Sequence, residues 1–333
     1  MDPVSQGVLG AIAAQTRGSQ ATLAKAGLIG AIAGMAADLD ILIHSTTDPL
    51  LSLQYHRHFT HSLLFIPIGG LLCSLVLYPL LAKRWGIQFK LTLLWCLLGY
   101  ATHALLDSCT SYGTQLLWPF SNHRVAWDSI SIIDPLFTLP LVALTIFASI
   151  HKKRRYAIAA IIWGATYLSA GFIQHERAVT MGYQLADSRH HNVQRLEAKP
   201  SFGNLLLWKV IYEADERFYV AAVKPGLRNT VVWQGSSINK LNISRDLPWL
   251  SQQSQQARDI QRFSQFSAGF IALDPTNPHR IIDMRYSMLP HQIKPLWGIE
   301  LKPQASEIQH AHFYTEHSNR KLALAQLWGM VWE

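Results

Sequence analysis

The sequence predicts an α-helical polytopic membrane domain of four or five transmembrane helices, followed by a mostly β, α+β extracytoplasmic domain. Nearly all long apolar runs lie before residue 175, whereas short β-prone runs separated by turn formers fill the rest of the chain. About 49% of the 333 residues are hydrophobic and only 15% are charged, a low charged fraction for a soluble protein. We therefore place a membrane-embedded domain at residues 1–175 and a soluble, β-rich domain at residues 176–333.

The membrane domain is defined by segments long and apolar enough to cross a bilayer. Three segments meet this requirement in full: Ser62–Ala82, Leu91–Asp107 and Ile132–Ile150. Tyr156–Gln174 is nearly as apolar, and a fifth segment, Ala26–His44, is rich in glycine and alanine. The shorter Val4–Ala14 is predicted to form a half-helix that packs against the fifth segment.

Basic residues orient these spans, because cytoplasmic loops carry an excess of lysine and arginine. Lys83, Arg84 and Lys90 lie between two spans, and the run His151–Arg155 lies between two others. Both loops are therefore predicted to be cytoplasmic, which places loops 45–61 and 108–131 and the C-terminal domain outside a bacterial inner membrane. The net charge of +8 fits such loops, and no basic helix or aromatic-interleaved motif accompanies it, so nucleic-acid binding is not expected.

The second half is predicted to consist of short strands and one glutamine-rich helix, Trp249–Phe263. The predicted strands are Leu205–Tyr212, Phe218–Val223, Thr230–Trp233, Phe270–Leu273, Ile281–Tyr286 and Trp297–Leu301. The turn formers that separate them include Pro225-Gly226, Asp274-Pro275 and Asn277-Pro278. Three histidines near the end of the chain are interpreted as surface residues: His310, His312 and His317.

Histidines and acids form four groups that the predicted topology brings to one face of the membrane. The groups are Asp38 with Asp40, the segment His56–Ser62, His103 with Asp107, and Asp128 with Asp134. Ionisable groups near membrane depth are costly, so they usually pair with one another or with a cation. The three cysteines, by contrast, indicate neither a disulfide framework nor a thiolate metal site.

The spacing within these groups suits a metal site. His103 and Asp107 are four residues apart, so both side chains lie on one face of a helix. Imidazole and carboxylate ligands together favour zinc, with manganese or iron as alternatives. Asp38 and Asp40 lie on different faces of an ideal α-helix, so both can reach one site only if the helix unwinds there. Taken singly, His103 could be a packed core residue, and Asp128 and Asp134 could be helix caps.

Several of these residues carry a resemblance to a known family. The opening Met1-Asp2-Pro3-Val4 with Gly7 and Gly10, then Asp38-Leu39-Asp40, His56-Arg57-x-x-Thr60-His61-Ser62, and His103-x-x-x-Asp107 with Thr110–Thr114 resemble the YdjM-type family over residues 1–175. This family, formerly a domain of unknown function, is described as inner-membrane, metal-dependent hydrolases. The chain departs from it at Ser5-Gln6, where the family often has histidine. A weaker similarity runs to zinc-dependent phospholipase C and P1-type nucleases.

The combined prediction is a membrane-bound hydrolase that uses a divalent metal at the extracytoplasmic membrane face. The predicted metal ligands are Asp40, His56, His61, His103 and Asp107. Asp38 or Asp128 is predicted to act as base or supporting carboxylate, and Arg57 to hold an anionic oxygen. The expected partners are membrane lipids and a lipid or lipid-linked substrate, most plausibly a phosphoester. Two alternatives are a metal-ion transporter and a non-catalytic membrane scaffold whose β domain binds a partner.

Overall fold

A computed structural model describes residues 1–226, 230–316 and 320–333. Two compact units are present. The first comprises Met1–Leu42, Tyr55–Ile173 and Phe202–Asn204, and the second comprises Ile43–Gln54, Gln174–Ser201 and Leu205–Glu333. The segment Ile43–Gln54 thus belongs by its contacts to the second unit, although the chain on both sides of it belongs to the first.

The first unit is helical. Its α-helices are α1 (Pro3–Gln15), α2 (Leu23–Met35), α4 (Ile66–Leu77), α5 (Phe89–Ser108), α6 (Pro135–His151) and α7 (Arg155–Ser188, whose last part lies in the second unit), while the short α3 (Leu51–Tyr55) ends at its boundary. Helix α4 continues through one π-turn, Tyr78–Ala82, and one 3-10 turn, Lys83–Trp85. Further 3-10 segments are Ala36–Leu42, Phe59–His61 and Leu63–Phe65.

Three helical stretches are long and apolar enough to cross a membrane: Leu63–Trp85, Phe89–Ser108 and Arg155–Ser188. Helix α6 is also apolar, with 17 residues. The predicted helical membrane region followed by an α+β domain is therefore confirmed. The expected span Ala26–His44 differs, because α2 has only 13 residues and gives way to a 3-10 segment at Ala36.

Glycines allow α1, α2 and α5 to pack at very short distance. A Cβ on Gly30 would lie 2.4 Å from the carbonyl oxygen of Gly10, and a Cβ on Gly99 would lie 2.4 Å from that of Gly30. Only glycine permits such close approach of three backbones. The expected packing of Val4–Ala14 against the glycine-rich segment Ala26–His44 is thus observed, and α1 is a regular helix of 13 residues.

The second unit contains two antiparallel four-stranded sheets. The first sheet has the order β1 (Arg195–Pro200), β2 (Trp208–Ala214), β3 (Arg217–Pro225) and β4 (Thr230–Asn239). The second has the order β5 (Ile271–Asp274), β6 (Asn277–Asp283), β7 (Trp297–Glu300) and β8 (His312–Thr315). Helices α8 (Ile243–Asp246) and α9 (Gln255–Phe266) lie between the sheets in sequence, and α10 (Arg320–Trp332) follows the second.

Strand β2 explains the core of this unit, since all seven of its residues are buried. Trp208, Val210 and Tyr212 pack against α7, whereas Ile211 packs with Phe218 and residues of the second sheet. Side chains of a strand alternate between its two faces, so β2 is covered on both sides. Five of its seven residues are apolar, and the two charged ones, Lys209 and Glu213, are buried.

Three details of the second half differ from the predictions. Strands β1 and β8 and helix α10 are absent from the predictions, and Asn277-Pro278 begins β6 instead of forming a turn. The glutamine-rich helix begins at Gln255, after its N-cap Ser254, and not at Trp249. Among the histidines expected at the surface, His312 is exposed, His310 is half-buried, and His317 lies outside the described residues.

Candidate metal centre

His103 and Asp107 lie on one face of α5, in its last two turns, and both are fully buried. The close contact between α2 and α5 brings the carbonyl oxygen of Gly34 within 2.5 Å of His103 Nδ1. A carbonyl oxygen can only accept, so Nδ1 carries the proton and Nε2 is left with its lone pair. This hydrogen bond therefore prepares His103 to bind a cation through Nε2.

The two acids after α2 both reach histidines because the α-helix ends at Met35 and a 3-10 segment follows. Asp38 Oδ1 lies 3.3 Å from His103 Nε2 and 3.5 Å from His61 Nε2. Asp40 contacts His56 Nδ1 at 2.9 Å and His61 Nδ1 at 3.3 Å. The tighter winding of this segment thus turns each carboxylate towards a different set of imidazoles.

The third contribution comes from the short segment before α4. Residues Phe59–His61 form a 3-10 turn, and Ser62 Oγ then accepts a hydrogen bond from the amide of Phe65 at 3.2 Å, so Ser62 caps the next turn. Arg57 has a left-handed backbone with φ 60°, which is uncommon outside glycine and often marks functional sites. His61 is fully buried, and its Nε2 is directed to the carboxylates of Asp38 and Asp107.

Four side chains, Asp38, His61, His103 and Asp107, converge with the spacing of a metal site, and we call them the inner cluster. Asp107 Oδ2 lies 3.2 Å from His61 Nε2 and 3.5 Å from His103 Nε2. Ligands about 2.1 Å from a tetrahedral zinc ion are separated by about 3.4 Å. All four measured oxygen–nitrogen distances, 3.2 to 3.5 Å, agree with that separation.

The inner cluster also leaves polar atoms unsatisfied. Among the described residues, His61 Nε2, His103 Nε2 and Asp107 Oδ2 are buried without a hydrogen-bond partner. Buried polar groups are nearly always satisfied, and each exception calls for an explanation such as an ion. Imidazole lone pairs that face carboxylate oxygens repel them unless a proton or a metal cation lies between. These residues therefore fit a divalent cation.

A second potential group consists of Asp38, Asp40 and His56, so that Asp38 is common to both groups. Asp40 already accepts hydrogen bonds from the amide of Arg57 at 2.9 Å and from the hydroxyl of Thr60 at 3.0 Å. Together with the contacts to His56 and His61, its two oxygens face four polar partners. Asp40 thus resembles the carboxylate that orients a metal-binding histidine.

Electrostatics within the site favour a cation. Burial lowers the pKa of His61, but its contacts with the carboxylates of Asp107, Asp38 and Asp40 outweigh burial and raise that pKa to about 10. The same carboxylates that hold a proton on the imidazole can hold a metal ion in its place. Metal affinity at this site is therefore expected to depend on pH, because the ion competes with protons.

Arg57 is placed differently from the expectation that it would hold a substrate oxygen. Its side chain is 4% exposed, with Nε 3.1 Å from Asp107 Oδ2 and one terminal nitrogen donating to Thr110 Oγ1 at 2.8 Å. The guanidinium also lies over the ring of Tyr112, 4.9 Å from its centroid. These contacts orient and neutralise the carboxylate of Asp107.

Four further residues remain to be placed: the predicted Asp128 and Asp134, and the unpredicted Gln6 and Met1. Asp128 is buried with φ 49° but belongs to neither potential metal group among the described residues. Gln6 was not predicted, yet its side-chain amide donates to Asp107 Oδ1 at 2.8 Å, and the amino group of Met1 contacts the same oxygen. The position where the family often carries histidine thus does face this site. Asp134 accepts hydrogen bonds from the first turn of α6, as expected of a cap.

Comparisons with known proteins identify one family and two relatives. A family model described as YdjM inner membrane protein covers residues 1–178. An uncharacterised protein, YfhP of Bacillus subtilis (strain 168), is 26% identical over 212 residues, which are 63% of this chain and 62% of that protein. The inner membrane protein YbcI of Escherichia coli (strain K12) is 33% identical over 111 residues, 31% of this chain and 60% of that protein. The chain thus spans about three fifths of these relatives. No solved structure matches it.

Proposed function

Because the chain belongs to the YdjM inner membrane protein family through its first 178 residues, we propose that it is a membrane-bound, metal-dependent hydrolase. The observation that carries this proposal is a set of three buried atoms on His61, His103 and Asp107 that make no hydrogen bond and converge with Asp38. Buried ionisable groups at the end of a membrane helix are expensive, and they persist where they have a function.

Zinc is the cation that we propose for the inner cluster, because its four oxygen–nitrogen distances agree with those of a tetrahedral site with nitrogen and oxygen ligands. A divalent cation supplies Lewis acidity, which lowers the pKa of water and polarises a phosphoryl or carbonyl oxygen. Asp40 and His56 remain predicted ligands, and with Asp38 they offer a place for a second cation.

A substrate can reach the site at Asp38. Its side chain is 28% exposed, whereas those of His61, His103 and Asp107 are fully buried. In the proposed reaction, Asp38 Oδ1 would hold the cation, and the second oxygen of Asp38 would accept the proton of the attacking water. Asp40 holds His61 in the correct orientation, and Arg57 holds Asp107.

The membrane position supports an amphiphilic substrate. Asp107 is the second-last residue of one candidate span, and His61 lies two residues before another. Both therefore lie near the depth of lipid headgroups, where a lipid or lipid-linked phosphoester presents its scissile bond. We further propose the extracytoplasmic orientation of this end, on the basis of the basic residues in the opposite loops.

The test is hydrolysis by the detergent-purified protein of a lipid phosphoester in mixed micelles and of a soluble phosphomonoester. We expect release of product that is lost when a chelator removes the metal, is restored by zinc, is greater for the lipid, and is abolished in His61→Ala. The control is His58→Ala, since His58 packs against the rings of Tyr55 and Trp118 and lies outside the inner cluster. Equal turnover by wild type and His61→Ala would contradict the proposal.

A further inference from the structure

Arg262, on α9 of the second unit, binds the segment Ile43–Gln54. Its two terminal nitrogens donate to the two oxygens of Asp48, at 3.0 Å and 2.8 Å, and one of them also donates to Gln54 Oε1 at 3.1 Å. Such a two-point contact between a guanidinium and a carboxylate fixes direction as well as distance. The middle and the end of the segment are therefore both fixed to α9.

Arg262 is itself held in place by a buried acid. Asp259, one turn earlier on α9, is fully buried and accepts from Arg262 at 3.2 Å. Its oxygens also accept from the amide of Ala311 at 2.9 Å and contact His310 Nδ1 at 2.9 Å. Because these contacts restrict the side chain before any partner binds, Arg262 is a rigid anchor and not a mobile surface residue.

The anchored segment is the connection between two parts of the metal centre. It begins three residues after Asp40 and ends two residues before His56. Asp40 joins the chain before the segment to the chain after it, because its oxygens contact the amide of Arg57 and His56 Nδ1. Within it, Asp48 also accepts from the amide of Leu50 just before α3, so the carboxylate that Arg262 holds also organises this turn.

We infer that Arg262 is a positioning residue for the metal centre, acting through Asp48 and Gln54 on the chain that carries His56 and Arg57. This inference rests on the proposed metal site and assigns that site a control outside the membrane helices. Without the contacts of Arg262, the segment Ile43–Gln54 has more conformational freedom. It therefore loses more entropy, when Asp40 and Arg57 at its two ends are brought together, than the anchored segment does. Release of Arg262 therefore weakens the hold of Asp40 on Arg57 and lowers the affinity of the inner cluster for a cation.

The experiment compares the full-length wild type with Arg262→Gln in detergent, by competition titration with zinc and by hydrogen exchange without metal. We expect zinc affinity to fall about tenfold and the Arg57 amide to exchange faster. The matched control is Arg258→Gln, one turn earlier on α9, because Arg258 donates to Gln255 and to the carbonyl of Gln253, which lie outside the segment Ile43–Gln54. This control keeps wild-type values in both measurements.

A second variant, Asp48→Asn, removes the other partner. If the two residues act as one unit, the double variant loses no more zinc affinity than the stronger single variant. Unchanged zinc affinity and unchanged Arg57 exchange in Arg262→Gln would overturn the inference while leaving the proposed function intact. A wild type that binds no zinc would refute the proposed function, whereas faster Arg57 exchange in Arg262→Gln would still support the anchor.

Discussion

The substitution Gly99→Ala tests how helix packing prepares the site. A Cβ at this position would lie 2.4 Å from the carbonyl oxygen of Gly30, whereas ordinary contact begins near 3.4 Å, so α2 and α5 must move about 1 Å apart. The hydrogen bond from His103 Nδ1 to Gly34, one turn further along both helices, would lengthen from 2.5 Å to about 3.5 Å. At that distance the hydrogen bond is too weak to fix the orientation of the His103 imidazole.

We expect Gly99→Ala to cost about 1–3 kcal/mol of stability and to lower zinc affinity about 10- to 100-fold. The assay is a competition titration with a coloured zinc chelator on protein purified from the membrane fraction. The matched control is Gly164→Ala in α7, whose Cβ would meet Phe137 and Leu141 at 3.7 and 3.8 Å, an ordinary distance. Wild-type zinc affinity in Gly99→Ala would refute the link between close packing and the histidine.

Three other predictions follow from the site and from the second unit. Asp40→Asn leaves one acceptor oxygen for four polar partners, so zinc affinity should fall about 10- to 100-fold, as measured by the same titration. At a zinc concentration of about 100 times Kd, bound metal contributes about 2.7 kcal/mol, so a chelator should lower the Tm by about 5–10 °C; no shift in the wild type would speak against a bound metal. Burial lowers the pKa of Lys209 from 10.5 to about 7, although Asp283 opposes this shift. The unfolded chain therefore binds more protons above pH 7, so the free energy of unfolding should rise from pH 7 to 10. Lys209→Met should remove this rise in denaturant titrations, and an unchanged slope would exclude Lys209 as its source.

Periodicity and apolar length predicted the helical half of the fold because long apolar helices have few alternatives in a membrane. The same signals failed for Ala26–His44. Its glycines serve close packing, and Asp38 and Asp40 end the regular helix to reach imidazoles. In the second unit, β1 (Arg195–Pro200) alternates charged and apolar residues, but it has only six residues and ends in proline, so its strand signal is weak. Its Arg195 pairs with Glu213 of β2, and its Lys199 pairs with Glu197 of the same strand.

At the metal centre, residue type and spacing predicted which side chains meet but not the function of each. Asp38 and Asp40 are separated by one residue, and only the course of the 3-10 segment decides which of them faces His103. Arg57 is chemically suited to a phosphate, yet its left-handed backbone directs it to Asp107. Gln6 could have been found from its place in the family motif, since a polar residue on the small-residue helix α1 needs a buried partner.

The measurement that tests the central claim most directly is the metal content of the detergent-purified protein, by mass spectrometry of the elements. Wild type is compared with three variants, His103→Ala, Asp107→Ala and the control His58→Ala. We predict a stoichiometric divalent cation in the wild type and in His58→Ala, and loss of most of it in the other two. Equal metal in all four proteins, or none in any, would contradict a cation site built by His61, His103, Asp107 and Asp38.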